Sequence, residues 1–116
     1  GLKMKEIKAY IKPHKLSEVT LALHQMEGLT GMSVMDVRGF GYTRTKDAPH
    51  RTVDDLEDYL PHVKSEIICK DELVEKIIAT IEKAAHTGLH GDGKIYVSDV
   101  KNAIRISTGE RGEEAV

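Results

Sequence analysis

An α+β fold with the element order β-α-β-β-α-β is what this sequence predicts. Three observations carry the prediction: segments of alternating polar and apolar residues near 4–12, 32–38 and 63–69, two stretches whose apolar residues recur every three or four positions, and glycine or proline at most of the joints between them. Alternation places one set of side chains on one face of a strand, and a spacing of three to four places it on one stripe of a helix.

Over 4–12 the apolar set is Ile7, Ala9 and Ile11, with Tyr10 on the other side, and Pro13 closes the segment as a strand end. Leu16, Val19, Leu23 and Met26 then form a helical stripe that Gly28 stops. A second strand begins at Met32 and Val34, carries Met35 and Val37 on its alternate side, and runs into Gly39-Phe40-Gly41. Apolar residues on both sides of these first two strands imply that neighbouring subunits cover the open face of the sheet. Residues 42–58 show neither period and hold Pro49 and the acidic run Asp54-Asp55-Leu56-Glu57-Asp58, so they read as a long exposed loop, either functional or a merely solvated insertion.

The third strand spans 63–69. Asp71 is placed to cap the helix after it, with Glu72 near its positive end. That helix, 71–86, presents Leu73, Val74, Ile77, Ile78, Ile81, Ala84 and Ala85 on one face. A fourth strand over 94–100 and a short extended piece over 104–107 complete the chain. The order is that of a ferredoxin-like βαββαβ unit with a long loop between the second and third strands and a short C-terminal extension.

Composition bounds the function classes. A chain of 116 residues supports one domain, 1–116, with its loop at 42–58. Aromatic residues are only 4%, so the core must be aliphatic and thin, and burial between copies in a homo-oligomer is expected to supplement it. Seventeen Lys and Arg against 19 Asp and Glu give a net charge of -2, which provides no general footprint for nucleic acid or for an anionic membrane. No apolar run is long enough for membrane insertion, and no apolar leader opens the chain, so the expectation is a cytoplasmic protein. The single cysteine, Cys69, reads as a small buried hydrophobe and fits a reducing compartment.

The chemistry concentrates in Thr87-Gly88-Leu89-His90-Gly91-Asp92-Gly93-Lys94 and in Arg105-Ile106-Ser107-Thr108-Gly109-Glu110. Glycines that accept positive φ let several backbone N–H groups converge on an anion, with Lys94 and Arg105 to neutralise it. Taken alone, the same loop reads as an ordinary turn after a helix, with Gly88 as its C-cap. A phosphate loop of the Walker kind opens a helix, whereas this one follows a helix, so its cations must offset a negative helix end. Six histidines raise the question of a metal, but no pair has ligand spacing, so no metal residues are assigned. His14 and His24 read as surface residues. No nucleophile with a base partner is marked, so the chain is not read as an enzyme.

Lys12-Pro13-His14-Lys15-Leu16, Gly31-Met32-Ser33-Val34, Gly39-Phe40-Gly41, Leu60-Pro61-His62-Val63-Lys64, the glycine loop with Ile95, and Ile104 to Glu110 together resemble the PII nitrogen-regulatory signalling proteins over nearly the whole chain. The resemblance implies a ferredoxin-like homotrimer that binds adenine nucleotide (ATP, ADP or AMP, with Mg as companion ion) in clefts between subunits. It further implies that the long loop regulates a target protein such as a membrane transporter or an enzyme. Matched position by position, Gly91, Asp92, Gly93 and Lys94 are implied to hold phosphates together with Arg105, while Gly31, Ser33, Gly39, Gly41, Glu66 and Ile68 are implied to surround adenine and ribose. The departures narrow this. Thr43 stands where the family's glutamine helps hold magnesium and 2-oxoglutarate, Tyr42 and His62 replace basic residues, Ser107 replaces a second arginine, and Asp55 replaces the tyrosine that uridylylation modifies. The alternative is a metal-sensing or metal-tolerance trimer on the same fold, using loop histidines such as His50 and His62.

Overall fold

In the computed structural model, which describes residues 3–39 and 60–116, four strands and two α-helices follow one another in the predicted order. They are β1 (Met4–Ile11), α1 (Leu16–His24), β2 (Ser33–Gly39), β3 (Leu60–Lys70), α2 (Val74–Ala85) and β4 (Ile95–Asp99). The strands form one antiparallel sheet in the spatial order β2-β3-β1-β4. Each helix thus returns the chain to a strand on the far side of its predecessor, the arrangement of a ferredoxin-like unit. The predicted loop 42–58 lies outside the described residues, as do Phe40 and Gly41.

The core is aliphatic and lies between the helices and one face of the sheet. Ile7 faces Ile67 across β1 and β3, and Ile7 also faces Val97 across β1 and β4. Ile7, Ile11, Val19, Leu23, Ile67, Ile77 and Ile81 are all at most 2% exposed. Burial of each such side chain is worth roughly 1.5–3 kcal/mol, which is how a chain with so few aromatics holds together. On α2 the buried residues are Val74, Ile77, Ile81 and Ala85, the inner line of the predicted stripe, with Leu73, Ile78 and Ala84 half-buried beside them.

Several boundaries differ from expectation, each for a local reason. The first helix stops at His24, and a turn in which Met26 N–H donates to the Leu23 carbonyl at 3.0 Å carries Met26 into the core before Gly28 reverses the chain at φ +89°. The third strand runs longer than 63–69 at both ends, because Pro61 and His62 pair with Arg38 and Val37 of β2 while Lys70 pairs with Met4. Asp71 is not the cap. It begins a 3-10 turn through Leu73, Lys70 takes the capping position without a side-chain bond, and the Asp71 carboxylate lies 3.8 Å from Lys5 Nζ. The helix proper therefore begins at Val74. Residues 104–107 are not an extended piece either. Only Ile104 bridges, to Arg111, and the chain between them closes a tight turn in which Gly109, at φ +76°, donates to the Arg105 carbonyl at 2.7 Å.

The open face of the sheet is more charged than the sequence suggested. Glu6, Lys8 and Tyr10 of β1 point away from the core, as do Lys64, Glu66 and Ile68 of β3, and the pairs Lys8–Glu6 (3.2 Å) and Lys64–Glu66 (2.9 Å) lie along it. On β1 the apolar side chain of the open side is Tyr10, as the sequence places it, and it meets Tyr96 edge-on at 5.9 Å. On β2 none of the side chains is buried, and Val34 and Met35, on alternate sides, are 42% and 40% exposed.

Candidate functional site

After α2 ends at Ala85, the chain crosses to β4 through a loop bent by three glycines with positive φ: Gly88 at +80°, Gly91 at +82° and Gly93 at +96°. Gly93 is fixed there by contact as well as by conformation. A Cβ at this position would lie 1.6 Å from the Tyr10 carbonyl oxygen, because the loop is stitched to β1 by the bond from Tyr10 N–H to the Lys94 carbonyl at 2.9 Å. Glycines at positive φ are the backbone feature from which an anion nest is built, and here they sit against a strand end.

Asp92 organises the loop from within. Its carboxylate accepts from the Thr87 N–H at 2.9 Å, from the Gly88 N–H at 3.2 Å and from the Thr87 hydroxyl, and it pairs with Lys12 Nζ at 3.3 Å. Lys12 also donates to Thr87 Oγ1 at 3.2 Å, and that oxygen receives the Leu89 N–H at 3.1 Å. The Thr87 hydroxyl and then its N–H, with smaller help from Gly88 and Lys12, hold the Asp92 carboxyl well below the usual carboxylate range, against a partial loss of hydration. Two histidines flank the loop: His86 Nδ1 lies 3.5 Å from Asp92 Oδ2, and His62 Nε2 lies 3.1 Å from the Gly91 carbonyl oxygen.

The negative charge at the loop is therefore already neutralised internally by Lys12. Lys94 is exposed and has no side-chain partner among the described residues, which leaves it available to an anion from outside. An apolar cleft opens beside it, floored by Ile78, Ile81 and Ala85 of α2 and walled by Tyr10, Gly93 and Lys94.

A second cleft lies elsewhere on the chain. Gly31, Ser33, Glu66 and Ile68 line it together with Ala103 and Val116, and Ser33 stands opposite Glu66 in the β2–β3 register. These four sequence-predicted residues are brought together. Gly91, Asp92, Gly93 and Lys94 are brought together in the first site. The two groups do not meet: His62, against the glycine loop, and Ile68, in the second cleft, are six residues apart on β3, about 20 Å along a strand. Gly39 closes β2 opposite Leu60, at the glycine-loop end of β3, and Gly41 lies outside the described residues. Arg105 sits in the C-terminal turn, its Nε 3.8 Å from Glu110 Oε1. Ala103 and Val116, on either side of it in sequence, line the second cleft.

Sequence reasoning assigned no role to Lys12 and Thr87, the two residues that anchor Asp92. Their signal was the Lys-Pro pair and the threonine opening the glycine run, but only the fold reveals that 75 positions close into one contact. Among the described residues no three His, Cys, Asp or Glu side chains converge as a metal site, and His50 and Thr43 lie outside those residues. The one carboxylate in the glycine loop is engaged by Thr87, Gly88 and Lys12, so the described residues there do not fit a magnesium site. Among the described residues no helix is long and apolar enough to cross a membrane.

The family model for nitrogen regulatory protein P-II matches residues 4–110. Nitrogen regulatory protein P-II of Azospirillum brasilense is 46% identical over 113 residues, covering 97% of this chain and 100% of that protein. The protein of the same description from Rhodospirillum rubrum is 48% identical over the same shares. Among solved structures, Arabidopsis thaliana PII bound to citrate aligns with a TM-score of 0.80 at 39% identity, over 99% of this chain and 94% of that one. The B. subtilis GlnK-ATP complex aligns with a TM-score of 0.81 at 27% identity, over 98% and 96%.

Proposed function

The chain belongs to the nitrogen regulatory protein P-II family of signal transducers, which are regulatory proteins and not enzymes, and from that premise we propose that it senses adenine nucleotide at a site completed only between copies of itself. The observation that carries this reading is the division of the site. Phosphate-type features gather at Gly91 to Lys94, whereas Gly31, Ser33, Glu66 and Ile68 line a different cleft that shares its wall with the C-terminal segment bearing Arg105. In a cyclic trimer each glycine loop meets the other cleft of its neighbour, and Arg105 of that neighbour joins Lys94. The exposed Val34 and Met35 of β2 supply apolar surface for such packing.

In this arrangement the phosphates of ATP or ADP lie on the backbone around Gly91 and Gly93, with Lys94 as the near cation. Adenine and ribose take the neighbour's Gly31–Ile68 cleft, and Gly39 closes the β2 end of the site; Gly41 belongs to the same sequence-matched set. Asp92 serves by shaping the loop, since its carboxylate is directed inward. The relative from B. subtilis is an ATP complex and the Arabidopsis relative is bound to citrate; both ligands are polyanions, which supports the reading. Nucleotide binding changes the preferred state of residues 42–58 and thereby the affinity for a target, a transporter or an enzyme. That coupling requires only that nucleotide bind two states unequally. With Thr43 in place of the family's glutamine, nucleotide rather than 2-oxoglutarate is the principal signal.

The test is a calorimetric panel of ATP, ADP and AMP, each with and without magnesium and 2-oxoglutarate, run beside a measurement of oligomer mass. Saturable binding of at least one nucleotide by a trimer is the expected result. A monomer, or a trimer that binds none of the three, defeats the reading.

A further inference from the structure

Both ring nitrogens of His62 face backbone carbonyl oxygens. Nε2 is 3.1 Å from the Gly91 oxygen and Nδ1 is 3.3 Å from the Leu60 oxygen. A carbonyl can only accept, and a neutral imidazole carries one N–H, so either neutral tautomer turns a lone pair toward one of the two oxygens. Only the imidazolium donates to both.

We infer that His62 is a proton-dependent positioning residue for the glycine loop: protonated, it ties Gly91 to Leu60 at the start of β3, and anion binding on the loop draws a proton onto it. The inference rests on the nucleotide reading above and specifies how that site is regulated. Gly91 is the residue before Asp92, so the clamp acts on the segment whose amides form the cradle. Leu60 is the first residue of β3, so the same imidazolium joins the cradle to the start of that strand. When the proton leaves, one of the two bonds is lost. Either the cradle slackens or the start of β3 does.

The charged surroundings decide the sign. Lys64 shares the His62 strand and face, Lys12 follows the end of β1, and Asp36 and Arg38 flank Val37, its register partner on β2. From the glycine loop come Asp92, Lys94 and, beyond Asp92, His86. Asp92 is already paired with Lys12 and Lys94 is a cation, so these groups leave room for added negative charge. A polyphosphate supplies that charge and favours the imidazolium over the neutral ring. Binding must then be tighter at lower pH and must weaken as pH rises through the histidine range.

The experiment measures ADP affinity by calorimetry between about pH 6 and about pH 8, the span in which histidine changes charge, for the full chain and for His62→Gln and His62→Lys. The phosphates titrate identically in all three, so only differences in slope count. Wild-type affinity is expected to fall about tenfold more across the span than that of either variant, the factor carried by one hydrogen bond to a charged group. In parallel, nitrogen-15 spectra of the free protein near pH 6 should show His62 with both ring N–H groups hydrogen-bonded. Equal slopes in wild type and His62→Gln, or a free-protein His62 with only one protected ring N–H, overturn the clamp. Absence of ADP binding at every pH defeats the nucleotide reading and the coupling to it, and the free-protein spectrum then still decides the clamp itself.

Discussion

Thr87 holds the Asp92 carboxylate twice, through its N–H at 2.9 Å and through its hydroxyl, and so closes the glycine loop into a ring that starts one residue beyond the α2 cap. These bonds favour the charged form. The Asp92 carboxyl is held well below its ordinary value mainly by the Thr87 hydroxyl and then by the Thr87 N–H, so its contribution to stability is present above the unfolded aspartate pKa of about 3.9 and is lost as pH falls below it toward the folded value. Carboxyl carbon-13 spectra should show Asp92 still ionised at about pH 4, where unperturbed aspartates are half protonated. A midpoint near the ordinary value would mean that the ring is open in solution.

Gly93 tests the seat of the loop against β1. Alanine there needs φ near +96° and puts its methyl 1.6 Å from the Tyr10 oxygen, a backbone atom that cannot turn aside. Left-handed strain alone costs on the order of 1–3 kcal/mol, and relieving the overlap must also break the Tyr10 to Lys94 bond. Gly93→Ala should lower stability in urea by at least about 2 kcal/mol and abolish nucleotide binding. Gly31→Ala meets nothing within 4 Å and should leave stability within about 0.5 kcal/mol. If both variants unfold alike, the contact at Gly93 is not what fixes the loop.

The ferredoxin-like order was legible because helix and strand periods differ, and Ile7, Ile67, Ile77 and Ile81 state the inner faces without reference to anything distant. What stayed hidden was set by contacts between remote positions. Asp71 has the chemistry of a cap, yet Lys5 across the sheet attracts its carboxylate; Thr108 and Gly109 turn a segment that alternation alone would extend. At the candidate site the glycines announced a cradle. The sequence did not show that Asp92 faces inward, that Lys12 neutralises it, or that His62 reaches Gly91 across 29 positions. Nor does a linear pattern reveal that Ser33 and Glu66 share one cleft while Lys94 stands in another, since that depends on strand register.

In the divided site proposed above, Lys94 and Arg105 act from different copies. Lys94→Ala and Arg105→Ala should each weaken ADP binding by roughly ten- to hundredfold, the range of one lost charge-assisted bond, and neither should change the oligomer mass, since both side chains are exposed. Trimers reassembled from a mixture of the two variants should regain some high-affinity sites, because a variant interface can then pair an intact Lys94 with an intact Arg105. A mixture that binds no better than either parent would place both residues in the same copy's site or outside it.

Cys69 offers a readout of the whole core that does not depend on ligand. It lies at the end of β3 opposite Lys5, it is 2% exposed, and burial followed by the nearby Asp71 charge pushes its thiol pKa up. Both effects disfavour the thiolate, which is the reactive form, so a disulfide reagent at neutral pH should label the native protein far more slowly than the unfolded chain. Labelling should accelerate along the same urea transition that circular dichroism reports. Substitution separates packing from polarity at the same place: Cys69→Ala removes one sulfur, whereas Cys69→Ser puts a hydroxyl where the register and burial leave it among core side chains, at a cost of about 1–3 kcal/mol if unbonded. Cys69→Ser should therefore be the less stable of the two. Rapid labelling in the absence of urea would mean that this end of β3 opens independently of the core, and the stability order of the two variants would then report that local opening.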